Sequence, residues 1–281
     1  MLARVGIIEA LILGIVQGLT EFLPISSSAH VRIVGDLFGW GDPGAAFTAI
    51  IQIGTELAVI CYFGRDIARI ISKWFRALPL RWRNPVAQSD PDVRMGWVVI
   101  VGTIPIAVLG LLFQDTIESK LRNLYLVAAV LAGFAILLGL ADRFSRRSKT
   151  LTDITLRDGL LLGCGQALAL IPGVSRSGGT ITVGLLLGYT REAAARVSFL
   201  LAIPAILASG FFQLFKSSGQ GTLDLGPTLL AAAVAFVVGY AVIVWFLKLV
   251  STRSYIGFVI YRIVLAAVVV ALLAAGTLAV Y

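Results

Sequence analysis

What most limits the folds open to this chain is a set of apolar runs too long for the interior of a soluble globule. A helix needs roughly 20 mostly apolar residues to cross a bilayer. Six stretches meet or approach that length: about Phe47 to Phe63, Trp97 to Phe113, Leu124 to Ala141, Val197 to Phe215, Pro227 to Leu247 and Gly257 to Val280. Only 14% of the 281 residues are charged and 58% are hydrophobic, against about 25% charged in a typical soluble domain. That leaves too little polar material to coat a soluble core, so the surface faces lipid. The net charge of +8 does not indicate nucleic acid, because the cations sit in short segments between apolar runs, where they anchor the chain at the membrane surface. Cys61 and Cys164 lie inside apolar stretches and form neither a disulfide framework nor a CxxC metal motif.

Two further apolar stretches, about Val5 to Leu23 and Leu160 to Ile171, each run into a proline and a Ser/Gly-rich break before a second short apolar piece. Non-helical backbone at bilayer depth survives only where it is buried in protein or lines a wet cavity. Both breaks therefore belong inside the bundle, as re-entrant helix-loop-helix segments. Arg65, Arg69, Lys73, Arg76, Arg81, Arg83 and Arg94 follow the first crossing, and Arg143, Arg146, Arg147, Lys149 and Arg157 follow the third. That side is predicted to be cytoplasmic. Lys120, Arg122 and Lys216 are the only cations of the two opposite loops; if each broken segment enters and leaves on one face, both termini fall on the outer side. The stretch from Lys73 to Arg94, with three prolines, is expected to be an interfacial loop or short amphipathic helix whose charges anchor rather than catalyse. Arg4 before an apolar run and Ser27-Ser28-Ala29 loosely resemble a signal peptide. Glu9, Gln17 and Glu21 within the run, and its recurrence later in the chain, argue against one.

That recurrence is an internal duplication. An offset of 149 residues, without gaps, matches Leu11, Leu13, Gly14, Gln17, Leu19, Ser26 and Ser28 with Leu160, Leu162, Gly163, Gln166, Leu168, Ser175 and Ser177. It continues through Val34, Gly35, Gly39 and Ala45-Ala46. One membrane domain over 1–281 then holds two repeats, about 1–145 and 150–281. Each carries one broken segment and three crossings, so the second is inserted upside down and the broken helices converge near the midplane. The predicted fold is an all-α integral membrane protein with six transmembrane helices plus two re-entrant segments, arranged as an inverted-topology repeat. The duplication has diverged in chemistry: Ser27 corresponds to Arg176, Glu21 to Leu170 and His30 to Gly179.

In the first break, Gln17 and Glu21 share a helix face ahead of Pro24. A carboxylate at that depth is expensive unless it is paired, hydrated or bound to a cation, which makes Glu21 a functional candidate. Ser26, Ser27 and Ser28 supply hydroxyls for a nucleophile or for helix capping. His30, the one histidine, shares a face with Ser27 if a helix restarts there. In the second break, Pro172-Gly173-Val174-Ser175-Arg176-Ser177-Gly178-Gly179-Thr180 presents small residues and backbone N–H groups ahead of an apolar helix, an arrangement suited to an anion. Arg176 adds a planar fork that fits phosphate oxygens. No Walker lysine follows, which argues against nucleotide hydrolysis.

These paired segments, a Gln/Glu-xxx-Glu helix running into Phe-Leu-Pro-x-Ser-Ser-x-x-His and a later Pro-Gly-x-Ser-Arg-Ser-Gly, resemble the signatures of the bacterial undecaprenyl pyrophosphate phosphatases, often called bacitracin-resistance phosphatases. The resemblance covers most of the chain. It implies a site opening to the outer face of the bacterial cytoplasmic membrane and removal of the terminal phosphate from a C55 isoprenoid diphosphate, which recycles the cell-wall lipid carrier. Carried over, Ser27 is the nucleophile, Glu21 and His30 are acid/base or orienting groups, and Arg176 is the phosphate clamp. Gln17, Ser26, Ser28, Ser175, Ser177, Gly178, Gly179 and Thr180 are substrate-binding or supporting groups. Position 17, often Glu in that family, is Gln here, so a divalent cation (Mg2+ or Ca2+) would lean on Glu21 and the substrate's phosphates. Spacing leaves open whether Glu21 or His30 takes the proton of Ser27, and whether His30 or water attacks instead. The expected partners are a polyprenyl diphosphate lipid and the membrane, with no nucleic acid; a homodimer stays open. Glu56, a carboxylate inside an apparent crossing, is not assigned to catalysis. The competing class is a lipid-phosphate flippase or anion transporter, since inverted repeats with broken helices also build transporters.

Overall fold

The computed structural model describes residues 5–79, 84–113, 117, 123–218, 224–278 and 280. Arg4, Arg81, Arg83, Lys120 and Arg122 lie outside them. In chain order the helices are α1 (Ile7–Thr20), α2 (Ser27–Leu37), α3 (Gly44–Tyr62), α4 (Gly64–Ala77), α5 (Pro91–Leu112) and α6 (Leu124–Phe144), then α7 (Leu156–Ala167), α8 (Arg176–Leu186), α9 (Arg191–Ser218), α10 (Leu225–Thr252) and α11 (Ile256–Ala274). The described residues contain no β-strand, only an isolated bridge between Lys149 and Tyr189.

Five helices are each long and apolar enough to cross a membrane: α5, α6, α9, α10 and α11. The sixth crossing is α3, which bends by 77° into α4 after Tyr62. The chain is thus a multi-pass membrane protein. Helix starts follow ordinary capping: Asp90 accepts from the N–H of Asp92 ahead of Pro91, and Asn123 accepts from the N–H groups of Tyr125 and Leu126. The expected amphipathic element is displaced toward the N-terminus. It is α4, ending at Ala77, because Pro79 and Pro85 forbid its continuation and Pro91 opens α5. Two of its cations are ion-paired: Lys73 bridges Asp90 and Asp92, and Arg69 bridges Asp66 and Asp92.

α1, α2, α7 and α8 are 14, 11, 12 and 11 residues long, too short to cross singly. α2 and α8 begin and end at positions related by the 149-residue offset. Ser26 and Ser175, immediately before them, both have φ of 72°, a left-handed conformation uncommon outside glycine. Packing is exchanged between halves: α1 lies against α10, and α7 against α5. The matched glycines explain how closely. A Cβ on Gly14 would stand 2.6 Å from the carbonyl oxygen of Ala231, and one on Gly163 would stand 2.2 Å from that of Gly102. Only glycine admits such backbone contact.

The main core runs through Phe22, Phe63, Phe199 and Phe246 toward Tyr255. Near Tyr255 the bundle is tied by polar contacts. Asp142 accepts from Arg191 Nε at 2.5 Å and Nη2 at 3.1 Å and from the N–H of Tyr255 at 2.9 Å; Tyr189 donates to Asp158 at 2.8 Å.

Candidate active site

The two breaks meet at Glu21. This residue caps the C-terminus of α1, its N–H bonded to the carbonyl of Gln17, and its side chain is buried. Oε2 accepts from Gln17 Nε2 at 2.6 Å and from Ser27 Oγ at 2.5 Å. Oε1 accepts from Nη2 of Arg176, which comes from the opposite repeat. A carboxylate accepting charge-assisted and hydroxyl hydrogen bonds together meets the cost of its burial. Gln17 Oε1, by contrast, is buried with no partner among the described residues.

Ser27 and Arg176 are the first residues of α2 and α8. Both sit on the wall of a cavity of about 610 Å³, with Glu21, Ser26, Ser28 and Ser175 beside them. The remainder is mostly apolar, from Ile106, Ala107 and Leu111 of α5, Val127 of α6 and Ala205, Ala208 and Phe212 of α9. These residues come from the C-terminal halves of α5 and α9 and the N-terminal half of α6. The cation clusters lie at the other ends of the same helices, around Arg94, Arg143 to Lys149, and Arg191.

The described residues contain no group of three or more acidic, His or Cys side chains able to hold a metal. The cavity wall offers a hard cation the carboxylates of Glu21 and Asp42, whereas Gln17 is fully buried and does not line it. Mg2+ commonly takes one or two carboxylates and completes its shell with substrate phosphates.

The sequence model of the family described as Bacitracin resistance protein BacA matches residues 10–268. The chain belongs to this family. It is 61% identical over 274 residues to the undecaprenyl-diphosphatase of Kineococcus radiotolerans, covering 97% of this chain and 96% of that protein. The undecaprenyl-diphosphatase of Micrococcus luteus is 59% identical over 276 residues, with 96% and 98% covered. That of Renibacterium salmoninarum is 58% identical over 276 residues, with 96% and 97% covered.

In this BacA-family chain the other expected site residues fall into two groups. Ser26 and Ser28 hydroxyls lie 3.3 Å apart at the cavity wall. The second break is used mainly to build itself: Ser175 Oγ caps the N–H of Gly178, and the N–H of Gly179 goes to the carbonyl of Ser175. Ser177 Oγ donates to the carbonyl of Leu23 across the interface between breaks, and Thr180 Oγ1 donates back to the carbonyl of Arg176. The glycines serve close packing, since a Cβ on Gly179 would stand 2.4 Å from the carbonyl oxygen of Gly165 and one on Gly178 would stand 3.0 Å from Arg262. The N–H groups of Arg176 and Ser177, at the start of α8, have no intrahelical acceptor and are the ones left for an anion.

His30 is on α2 but turned away from Ser27 and Glu21. Its Nδ1 lies 2.8 Å from the carbonyl oxygen of Ser26 and its Nε2 lies 2.7 Å from the hydroxyl of Tyr261, on which the ring also stacks. A carbonyl only accepts, so Nδ1 carries the proton and, in the neutral ring, Nε2 accepts from Tyr261.

Sequence reasoning missed Arg262, the one charged residue of the last apolar run. It is fully buried and has no acidic partner among the described residues. Nη1 donates to the carbonyl of Pro24 at 3.0 Å, Nη2 to those of Gly173 and Val174 at 2.8 and 3.1 Å, and Nε to that of Leu131 at 3.2 Å. One guanidinium therefore holds both breaks. The available signal was its charge within a crossing.

Proposed function

We propose that this chain hydrolyses undecaprenyl diphosphate to undecaprenyl phosphate and inorganic phosphate at the outer face of the bacterial cytoplasmic membrane, recycling the cell-wall lipid carrier. The observation that carries this reading is the convergence of Ser27 and Arg176, from opposite repeats, on Glu21 in a cavity with an apolar wall. An anion carrier needs cations and N–H donors but not a hydroxyl poised on a carboxylate. The placement of the cavity away from the cation-rich helix ends supports the outward orientation.

Phosphoryl transfer asks chiefly for positioning and charge stabilisation. Arg176 and the first N–H groups of α8 take the oxygens of the terminal phosphate. Ser27 Oγ passes its proton to Glu21 Oε2, bonds to the terminal phosphorus, and the bond from that phosphorus to the bridging oxygen breaks. Undecaprenyl phosphate leaves with the bridging oxygen. Water then attacks the phosphoserine, the bond to Oγ breaks, Oγ recovers its proton from Glu21, and the hydrogens of water leave with inorganic phosphate. His30, engaged at both ring nitrogens, orients the turn at Ser26. A divalent cation held by Glu21 and the substrate's own phosphates would neutralise phosphate charge when bound. The C55 tail exceeds the cavity and extends into lipid along exposed apolar residues such as Val108 and Leu111.

The test is phosphate release from undecaprenyl diphosphate by the purified protein in detergent. Arg176→Ala and Glu21→Ala are each expected to abolish it while the protein stays folded. Wild-type turnover in either rejects this site, and no release by the wild type rejects the activity.

A further inference from the structure

Ser26 precedes Ser27 and sets its direction, and its φ of 72° is a conformation that serine keeps only under constraint. In the second repeat the matching Ser175 has the same φ and is held by two bonds. Its hydroxyl caps the N–H of Gly178 at 3.2 Å, and its carbonyl accepts from the N–H of Gly179 at 2.8 Å. The first repeat is held differently. Ser26 makes no side-chain cap, its hydroxyl lying instead 3.3 Å from that of Ser28 on the cavity wall. The bond from the N–H of His30 to its carbonyl is longer, at 3.3 Å. His30 stands where the second repeat has Gly179, and its ring makes up the difference, with Nδ1 2.8 Å from the same carbonyl oxygen.

We propose that Tyr261 is a positioning residue for the nucleophile that acts through His30: its hydroxyl fixes the tautomer with the proton on Nδ1 and its ring fixes the imidazole plane, so that Ser26 is held and Ser27 stays directed at Glu21. The inference rests on the diphosphatase reading. A neutral imidazole carries one proton, and which nitrogen has it is set by the bond the other one makes. The hydroxyl of Tyr261, 2.7 Å from Nε2, donates there. A proton on Nε2 would instead leave the lone pair of Nδ1 facing the carbonyl oxygen of Ser26. The two rings stack within 7° of parallel with centroids 5.6 Å apart, which limits rotation of the imidazole. His30 is buried, so without the hydroxyl Nε2 becomes a buried acceptor with no donor, a costly state. The ring escapes it by moving the proton to Nε2 or by turning over, and both release the carbonyl of Ser26. Tyr261 is also the chain neighbour of Arg262, whose Nη1 holds the carbonyl of Pro24 at 3.0 Å. α11 thus grips the first break at two points.

Because the chain has a single histidine, the nitrogen NMR spectrum of full-length protein isotopically labelled at histidine alone reads the tautomer directly. In detergent at mildly alkaline pH the wild type is expected to show a protonated Nδ1 and an unprotonated Nε2. Tyr261→Phe keeps the ring and its stacking and removes only the hydroxyl. It is expected to move proton population to Nε2, to lower kcat for phosphate release by about tenfold, and to leave KM within about twofold of wild type and the protein folded. A wild-type proton on Nε2, wild-type kcat in Tyr261→Phe, or a loss of kcat with the wild-type nitrogen spectrum retained overturns the proposal. The wild-type spectrum needs no variant and remains a test should Tyr261→Phe not purify in folded form. It is also independent of turnover, so a wild type that shows the expected tautomer and releases no phosphate rejects the diphosphatase reading rather than the hold of Tyr261 on His30.

Discussion

Replacing Arg262 by Met tests how the two breaks are held. Hydrogen bonds to a charged group contribute about 1.5–3 kcal/mol each, and Arg262 donates to four carbonyls. The substitution also removes a buried cation with no acidic partner, whose desolvation costs several kcal/mol. The two effects oppose each other, so the net change in stability is a few kcal/mol and the protein remains folded. Their effect on geometry does not cancel. Pro24 lies three residues before Ser27 and Val174 two before Arg176, so freeing those carbonyls loosens both side chains together. A misplacement of about 1 Å costs on the order of a hundredfold in rate, and that is the loss expected in kcat. Arg262→Lys keeps the charge but lacks the fork that reaches both breaks, and is expected to recover only part of it. Phosphate release and thermal unfolding are measured on the same detergent preparation. Turnover of Arg262→Met within about threefold of wild type would refute the reasoning.

Ser27→Ala is expected to lower phosphate release by at least about a thousandfold if the hydroxyl is the nucleophile; substantial residual turnover would move the attack to water activated by Glu21. One Arg176 already matched by Glu21 neutralises only part of a diphosphate, so chelation of divalent cations is expected to slow release and added Mg2+ or Ca2+ to restore it. Turnover indifferent to both would remove the cation from the site.

The crossings were readable because lipid imposes a plain rule: the runs predicted from Leu124, Val197 and Pro227 fall within helices of the structure, that from Trp97 passes its helix end by one residue, and that from Gly257 runs on past the end of α11 at Ala274. The breaks were readable because proline, glycine and serine interrupt apolar sequence at matched positions. Contacts formed over long sequence separation were not. Nothing around Arg262 in the sequence says that its partners are carbonyls more than eighty residues away. Spacing put His30 on the helix with Ser27, but whether its ring turned to Ser27 or to Tyr261 depended on α11, 231 residues distant. Likewise the glycines after Arg176 suggested a phosphate cradle, whereas their lack of a side chain is required by Gly165 and Arg262. Local pattern reports that a backbone is special without saying what presses against it.

The duplication also accounts for why the chemistry sits where it does. Ser27 and Arg176 occupy the same position of the two repeats, the first residue of α2 and of α8. Both side chains reach the carboxylate of Glu21. Once duplicated, each could change alone: one became a hydroxyl beside an acid, the other a guanidinium. Glu21 then has to come from one half only, because a second carboxylate at its equivalent, Leu170, would stand on the cavity wall, where it would repel the same phosphate. Restoring symmetry by Leu170→Glu should on this argument weaken substrate binding, seen as a raised KM for phosphate release.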